Sequence, residues 1–296
     1  MPTLRAMTSS TPVAPAGARV HPDATVHRTA VIEGDVEIGP GTTVGPGCVV
    51  LGTVGPVRIG AGCTLVANAI VNGPITLGDG NVLYPNVSLG FAPQDIGFDP
   101  QKAGAGCVIG NRNVFREGTT VHRGKTADPT RIGDGNLWMT NTHLGHDGVV
   151  GNNCIIGSGS VLGGHVEVAD KVIIGGLAAM HQFARAGRGS FISGCSGVTN
   201  ALPPWFICTS IDVAASVNLI GLRRSGASRE TIETTRWVFK TLYRSGCAPQ
   251  QAMPLLEARA GDPVVDEYVA FIRASKRGIC HGTGRARRGH AAIDVD

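Results

Sequence analysis

The chain has 296 residues, 43 of them glycine; 16% are charged, 5% are aromatic, and the formal net charge is +4. That length allows one large domain or two of ordinary size, the glycines lack the three-residue period of collagen, and the basic residues are too dispersed for a nucleic-acid binder. No apolar run is long enough to cross a membrane, and the start lacks the apolar centre of a secretory signal.

Residues 1–18 are rich in Pro, Ala, Ser and Thr and are predicted to be a disordered extension. From Val20 onward, apolar residues recur at every sixth position. One run is Val20, Val26, Ile32, Ile38, Val44 and Val50; a second goes from Ile59 to Leu89; a third from Ile109 to Val121. The longest begins at Ile132 and passes through Trp138, Leu144, Val150, Ile156, Leu162, Val168, Ile174 and Met180 to Val198. A period of six fits neither a helix nor simple alternation. It fits a hexapeptide β-helix, with one short strand and one turn per hexad and three hexads, about 18 residues, per coil. Coils stack at about 4.8 Å, and Gly or Asn serves the corners, where positive φ is cheap. The fold class predicted for 19–208 is therefore a left-handed parallel β-helix, the usual hand of such prisms despite the right-handed crossover rule.

Three breaks interrupt the phase: three residues after Val50, a long segment between Leu89 and Ile109, and residues 123–131. All are predicted to leave the prism as loops, where function tends to sit. Cys48, Cys63, Cys107 and Cys154 fall at like phases of the repeat, and no C-x-x-C pair occurs. The cysteines are predicted to be reduced core residues of a cytoplasmic protein.

The hexads stop near residue 208. A small C-terminal α-helical domain is predicted over 209–280, with helices in 228–246, 248–261 and 262–278. Ser228 is the N-cap of the first, Gly246 its stop, and Asp262-Pro263 opens the last. The end, 281–296, is read as a flexible basic tail.

Every third hexad shares a face. Above Leu144 lie Leu162, Met180 and Val198, and below it lie Val121 and Leu89. His122 follows Val121, His143 and His146 flank Leu144, His165 lies three past Leu162, and His181 follows Met180. Five of the nine histidines thus fall on one edge, over roughly 20 Å. The loop carrying Gln94 and Asp95 and the 123–131 insertion leave from the same edge. A single outward histidine is usually turn decoration; five in a column beside two insertions point to a cleft. A neutral imidazole is the natural general base near pH 7, and Asp147 could fix the tautomer of His146. A three-histidine zinc site is the competing chemistry, but two histidines five apart, as β-helix carbonic anhydrases carry them, are absent. No metal and no cofactor is expected.

The segments "NTHLGHD", "GGHVEV", "IIGGLAAMHQF", "GCSGV", "PPWFI", "VNLIGLRRSG" and "LYRSG", with "FREGTTVHRG" and "PQD", resemble the bacterial acyl-carrier-protein-dependent UDP-N-acetylglucosamine O-acyltransferases. The resemblance runs from about residue 20 to 278. It implies His146 as general base, Asp147 as its support and the Gly164 N–H as oxyanion donor. It further implies acceptor contacts from Gln94, Asp95, His122, His143, His165, His181 and Gln182, nucleotide contacts from Asn218 and Arg224, and an acyl groove by Phe191 and Gly194. Acyl carrier protein would be the donor, and the enzyme a homotrimer with its sites between subunits.

Three positions depart from that family's pattern: Gly97 replaces a lysine, Ile220 a glutamate and Ser225 an arginine. All concern nucleotide or phosphate contacts, with Arg123 or Lys125 as candidates to restore the missing cation. The alternative reading is a related acyl-carrier-protein- or CoA-dependent acyltransferase acting on another alcohol or amine.

Overall fold

The computed structural model describes residues 17–246 and 249–283. Most of the predicted N-terminal extension and basic tail, with Cys247, lies outside them. The hexads close into a three-sided β-solenoid. Strands of one hexad pair in parallel with those of the third hexad on, so His143–Leu144 lies between Thr120–His122 and Val161–Leu162, which in turn meets Ala179–Met180. These form the first face. The second holds Val149–Val150, Glu167–Val168 and Arg185–Ala186. The third holds Ile155–Ile156, Ile173–Ile174 and Phe191–Ile192. The second residue of each pair points inward, and these residues stack into one continuous buried core.

Corners follow from the same local chemistry. Each needs one residue at positive φ, filled in many coils by Gly or by Asn, Asp or His, residues that visit this region at modest cost, and in others by residues such as Lys171, Leu177 and Phe183 that the stacked coils hold there. Asn141, Asp147, Asn153 and His165 all sit there, at φ between 56° and 59°. Inside the corner between the second and third faces runs a buried amide ladder. Asn113 Nδ2 donates to Asn81 Oδ1 at 3.0 Å and Asn136 Nδ2 to Asn113 Oδ1 at 2.9 Å, while the Cys154 N–H closes the run on Asn136 Oδ1 at 2.7 Å.

The break after Val50 does not form a loop. Val49–Ile59 continues through the corner between the first and second faces as one strand beside Val31–Ile38, and the extra residues are absorbed as a register shift between Gly34 and Val36. The other two breaks do leave the prism. A further irregularity appears at Thr199–Asn200, where the corner is cut short so that Leu202 pairs opposite Ala186. The Asp212 carboxylate, from beyond the last coil, accepts the Thr199 N–H at 2.8 Å and the Asn200 N–H at 3.1 Å, satisfying amides the shortened turn leaves free.

Phe206–Ser210 ends the parallel stack and pairs antiparallel with Val213–Val217, which meets His281–Gly282. Four helices follow: α1 Leu219–Arg224, α2 Arg229–Tyr243, α3 Pro249–Glu257 and α4 Pro263–Ala274. Ser228 and Asp262 cap α2 and α4 as their sequence positions predict; the six-residue α1 is an addition. Aromatic side chains, scarce overall, concentrate at the junction. Phe206 packs against Phe239, Tyr243 and Tyr268, with ring centroids 5.0–5.8 Å apart, and Tyr268 Oη donates to Pro204 O at 2.7 Å. The helices thereby close the open end of the prism.

Candidate active site

The first corner, between the first and second faces, brings the histidines together. His165 N donates to His146 O at 3.0 Å and Phe183 N to Gly164 O at 3.1 Å, so three successive corners stack in line. One coil below, His122 pairs with Phe91, and both insertions depart from that point.

His146 is buried, and its Nδ1 lies 2.6 Å from Asp147 Oδ2. A carboxylate can only accept, so Nδ1 carries the proton and Nε2 the free lone pair. Nε2 has no partner among the described residues and faces Gly164, where a side chain would collide with it: a Cβ would lie 2.9 Å from Cε1 and 3.0 Å from Nε2. Asp147 also accepts the Thr126 N–H at 2.9 Å, the Thr126 hydroxyl at 2.6 Å and the Lys125 N–H at 3.1 Å. Burial opposes ionisation of Asp147, but the bonds from Thr126, His146 and Lys125 outweigh it and hold the carboxyl below its ordinary value. The dyad is therefore an imidazole oriented by a fixed anion.

His146, Asp147 and His165 have ligand-type atoms within 4.8 Å of one another. Asp147 already receives four hydrogen bonds, as many as its two oxygens take, so the donor set reads as a base and its orienting carboxylate.

Three of the other histidines, His122, His143 and His165, are disfavoured as cations. Burial pushes His122 down to about 4, helped by His143, His146 and Arg123 nearby. Burial lowers His143 too, and Thr120 Oγ1 meets its Nδ1 at 2.7 Å. Burial lowers His165 against the pull of Asp147, and its ring stacks on Phe183 at 4.6 Å. His181 and Gln182 are exposed on the same edge. Gln94 is exposed and Asp95 half-buried on the 92–106 loop, whose Asp95 Oδ2 lies 2.6 Å from Lys125 Nζ.

Comparison with known proteins adds to this geometry. The family model described as "Udp N-acetylglucosamine O-acyltransferase; Domain 2" matches residues 202–280, and the bacterial transferase hexapeptide model matches 17–52 and 129–164. The acyl-[acyl-carrier-protein]–UDP-N-acetylglucosamine O-acyltransferase of Burkholderia orbicola is 39% identical over 213 residues, which is 69% of this chain and 80% of the relative. The chain belongs to the UDP-N-acetylglucosamine O-acyltransferase family.

Its solenoid and helices are similar to solved structures of such acyltransferases. That of Francisella novicida is 29% identical with a TM-score of 0.78, covering 90% of this chain and 95% of that one. That of Arabidopsis is 28% identical with a TM-score of 0.79, covering 90% and 100%. The protein is an acyltransferase, and no helix among its described residues is long and apolar enough to cross a membrane.

In this acyltransferase not every sequence-predicted site residue reaches the first corner. Phe191 lies on the outside of the third face, and Gly194 is exposed at the corner between the third and first faces. Asn218 precedes α1 and Arg224 ends it, near the corner between the second and third faces. The Asn218 side chain is committed there, accepting the Gly221 N–H at 2.9 Å as N-cap and donating to Gly189 O at 2.9 Å. Ile220 is exposed on α1, and Ser225, its C-cap, is bonded through Oγ to Leu222 O. Arg123 is fully buried and donates to the carbonyls of Gly90, Pro100 and Lys102 at 2.7–3.1 Å, so it anchors the 92–106 loop and is not free for a ligand. Sequence reasoning missed Thr120, Thr126 and Phe183. Phe183 carried a signal, lying three past Met180 as His165 lies three past Leu162; Thr126 sits in an aperiodic insertion and carried none.

Proposed function

We propose that the protein transfers a 3-hydroxyacyl chain from acyl carrier protein to the 3-hydroxyl of UDP-N-acetylglucosamine, the first step of lipid A synthesis, working in the cytoplasm as a homotrimer. The observation that carries the chemistry is the 2.6 Å contact of His146 Nδ1 with Asp147, which leaves Nε2 basic and facing Gly164. His146 Nε2 takes the proton from the sugar hydroxyl as its oxygen attacks the thioester carbonyl. Gly164 is the first central residue of its turn, and its N–H makes no ladder bond, so it is available to the tetrahedral oxyanion. One such donor contributes on the order of 3 kcal/mol. Collapse breaks the C–S bond, and the imidazolium returns its proton to the leaving thiolate. Asp95, Gln94, His122, His143, His165, His181 and Gln182 line the acceptor pocket.

The assembly reading rests on where the remaining residues lie. Phe191, Gly194 and the Arg224 end of α1 sit at other corners of the same prism, so they join His146 only across a subunit boundary. The outer positions of the third face support such a boundary: Val82, Val114, Leu137, Ile155, Ile173, Phe191 and Ile207 are apolar and only partly buried. The buried, free cysteines fit a reducing compartment.

The test is His146→Ala in an assay of acyl transfer from 3-hydroxyacyl carrier protein to UDP-N-acetylglucosamine. The expected loss is at least about 10²–10⁴-fold in kcat, with the oligomer unchanged. A variant retaining half the wild-type rate ends the base assignment; wild type without transfer ends the substrate assignment.

A further inference from the structure

The two insertions at the first corner are built unequally. Their bases are laced by backbone bonds, Ala105 N to Gly124 O at 3.0 Å and Gly124 N to Gly106 O at 2.8 Å, and pinned by the buried Arg123, whose guanidinium also faces the Phe98 ring. The tip of the longer loop is different. Gln94, Ile96 and Gly97 are exposed, and the contact from the shorter insertion is the ion pair of Lys125 Nζ with Asp95 Oδ2 at 2.6 Å. Both side chains keep partial access to solvent, 37% for Lys125 and 27% for Asp95.

Lys125 has a second connection. Its backbone N–H donates to Asp147 Oδ2, the oxygen that holds His146. The base of Lys125 is therefore fixed to the dyad, while its four methylenes, about 6 Å in reach, carry the ammonium across the cleft mouth. Of the other basic residues on these segments, Arg123 is buried, Arg131 points outward from the second face, and Lys102 is exposed with no ion pair among the described residues. Lys125 is the cation bound to a carboxylate of the cleft.

We propose that Lys125 is the specificity-determining cation of this enzyme: its pair with Asp95 is a resting latch that opens when one ligand supplies hydroxyl donors to Asp95 and a phosphate to Lys125. This rests on the acyl-transfer reading above. An ion pair this exposed contributes little to stability, so the exchange is accessible to a bound substrate. A neutral sugar satisfies Asp95 but leaves the ammonium without an anion; an anion lacking hydroxyls does the reverse. The pair thus favours a phosphorylated sugar, and because the Lys125 backbone is bonded to Asp147, the phosphate is drawn to the mouth of the same cleft as the dyad.

The test uses the full chain as wild type, Lys125→Met and Lys125→Arg. Binding of UDP-N-acetylglucosamine, UDP and uridine is measured by calorimetry, with steady-state transfer alongside. A charge-assisted phosphate contact predicts about 10- to 100-fold weaker binding of the two phosphorylated ligands to Lys125→Met. Uridine binding should be unchanged, and Lys125→Arg should stay within about threefold of wild type. In turnover the loss should appear in KM for the acceptor, with kcat retained within a few fold, and the fall of kcat/KM with added salt should flatten in Lys125→Met. Lys125→Met binding UDP as tightly as wild type overturns the proposal. So does an equal loss for uridine, which marks a loop defect. Absence of wild-type transfer overturns the acyl-transfer reading, while the binding of UDP against uridine still decides the role of Lys125.

Discussion

A methyl group at position 164 would come within 3.0 Å of the His146 ring, tighter than real side chains tolerate. The imidazole is held from the other side by Asp147, so it cannot retreat without stretching the 2.6 Å contact. Gly164→Ala should therefore fold normally yet lose about 10²-fold or more in kcat, the usual effect of displacing a reacting atom by an ångström; a rate within threefold of wild type would remove Gly164 from the reaction centre. His122 supports a second measurement. Burial lowers it from 6.5 to about 4, so between those values the unfolded chain binds the proton and the folded chain does not. Stability then rises with pH across that window, is fully present above 6.5, and is lost as pH falls towards 4. His143 and His165, also lowered, act in the same direction. His122 alone contributes at most about 3 kcal/mol to this slope. Urea unfolding at pH 7 and pH 5 should show a smaller acid loss for His122→Asn than for wild type; equal slopes would mean that His122 protonates in place.

At the scale of elements, the amide ladder carries what two-residue strands cannot. Asn113 donates to Asn81 Oδ1 and Gly133 O and accepts the N–H and Nδ2–H of Asn136. The three asparagines are buried, so Asn113→Ala leaves several of their groups without partners, at about 1–3 kcal/mol each before relaxation. It should lower the urea midpoint by more than Asn152→Ala, in the half-buried ladder beside it. Equal shifts would show that water satisfies the inner ladder. These elements also mark what a sequence reveals. One inward residue per hexad is a strong signal because each strand is two residues long, so the phase alone aligned His122, His143, His146, His165 and His181. The segment after Val50 was misread because extra residues can extend two neighbouring strands together. The cut corner at Thr199 was invisible because its amides are satisfied by Asp212, from outside the repeat. The capping role of Asn218 carried no signal because a short helix such as α1 has too little periodicity to announce its cap. Lys125 and Thr126 meet Asp147 through loop geometry, which no period encodes.

For the whole molecule, the three faces differ on their outsides. The second carries Glu37, Arg58, Arg131, Glu167 and Arg185, with ion pairs such as Arg185–Glu167 at 2.7 Å. The third presents an apolar strip from Val82 to Ile207, one side chain per coil. Each would contribute about 1 kcal/mol on completing its burial, so the seven of one subunit together are comparable with the cost of association. Ile155→Glu/Ile173→Glu sets two charges on adjacent coils of that strip. It should sediment as a monomer and lose acyl transfer by more than about 100-fold, while Val149→Glu on the second face should stay trimeric and active. Complementation then asks whether the site is shared. In trimers formed from equal amounts of His146→Ala and Arg224→Ala chains, a site pairing an intact His146 with a neighbour's intact Arg224 arises by chance in about a quarter of boundaries. With acceptor below saturation, the mixture should recover about that fraction of wild-type activity. If His146 and Arg224 serve the same site within one chain, the mixture can do no better than the average of two impaired enzymes, and the shared-site arrangement is lost with it.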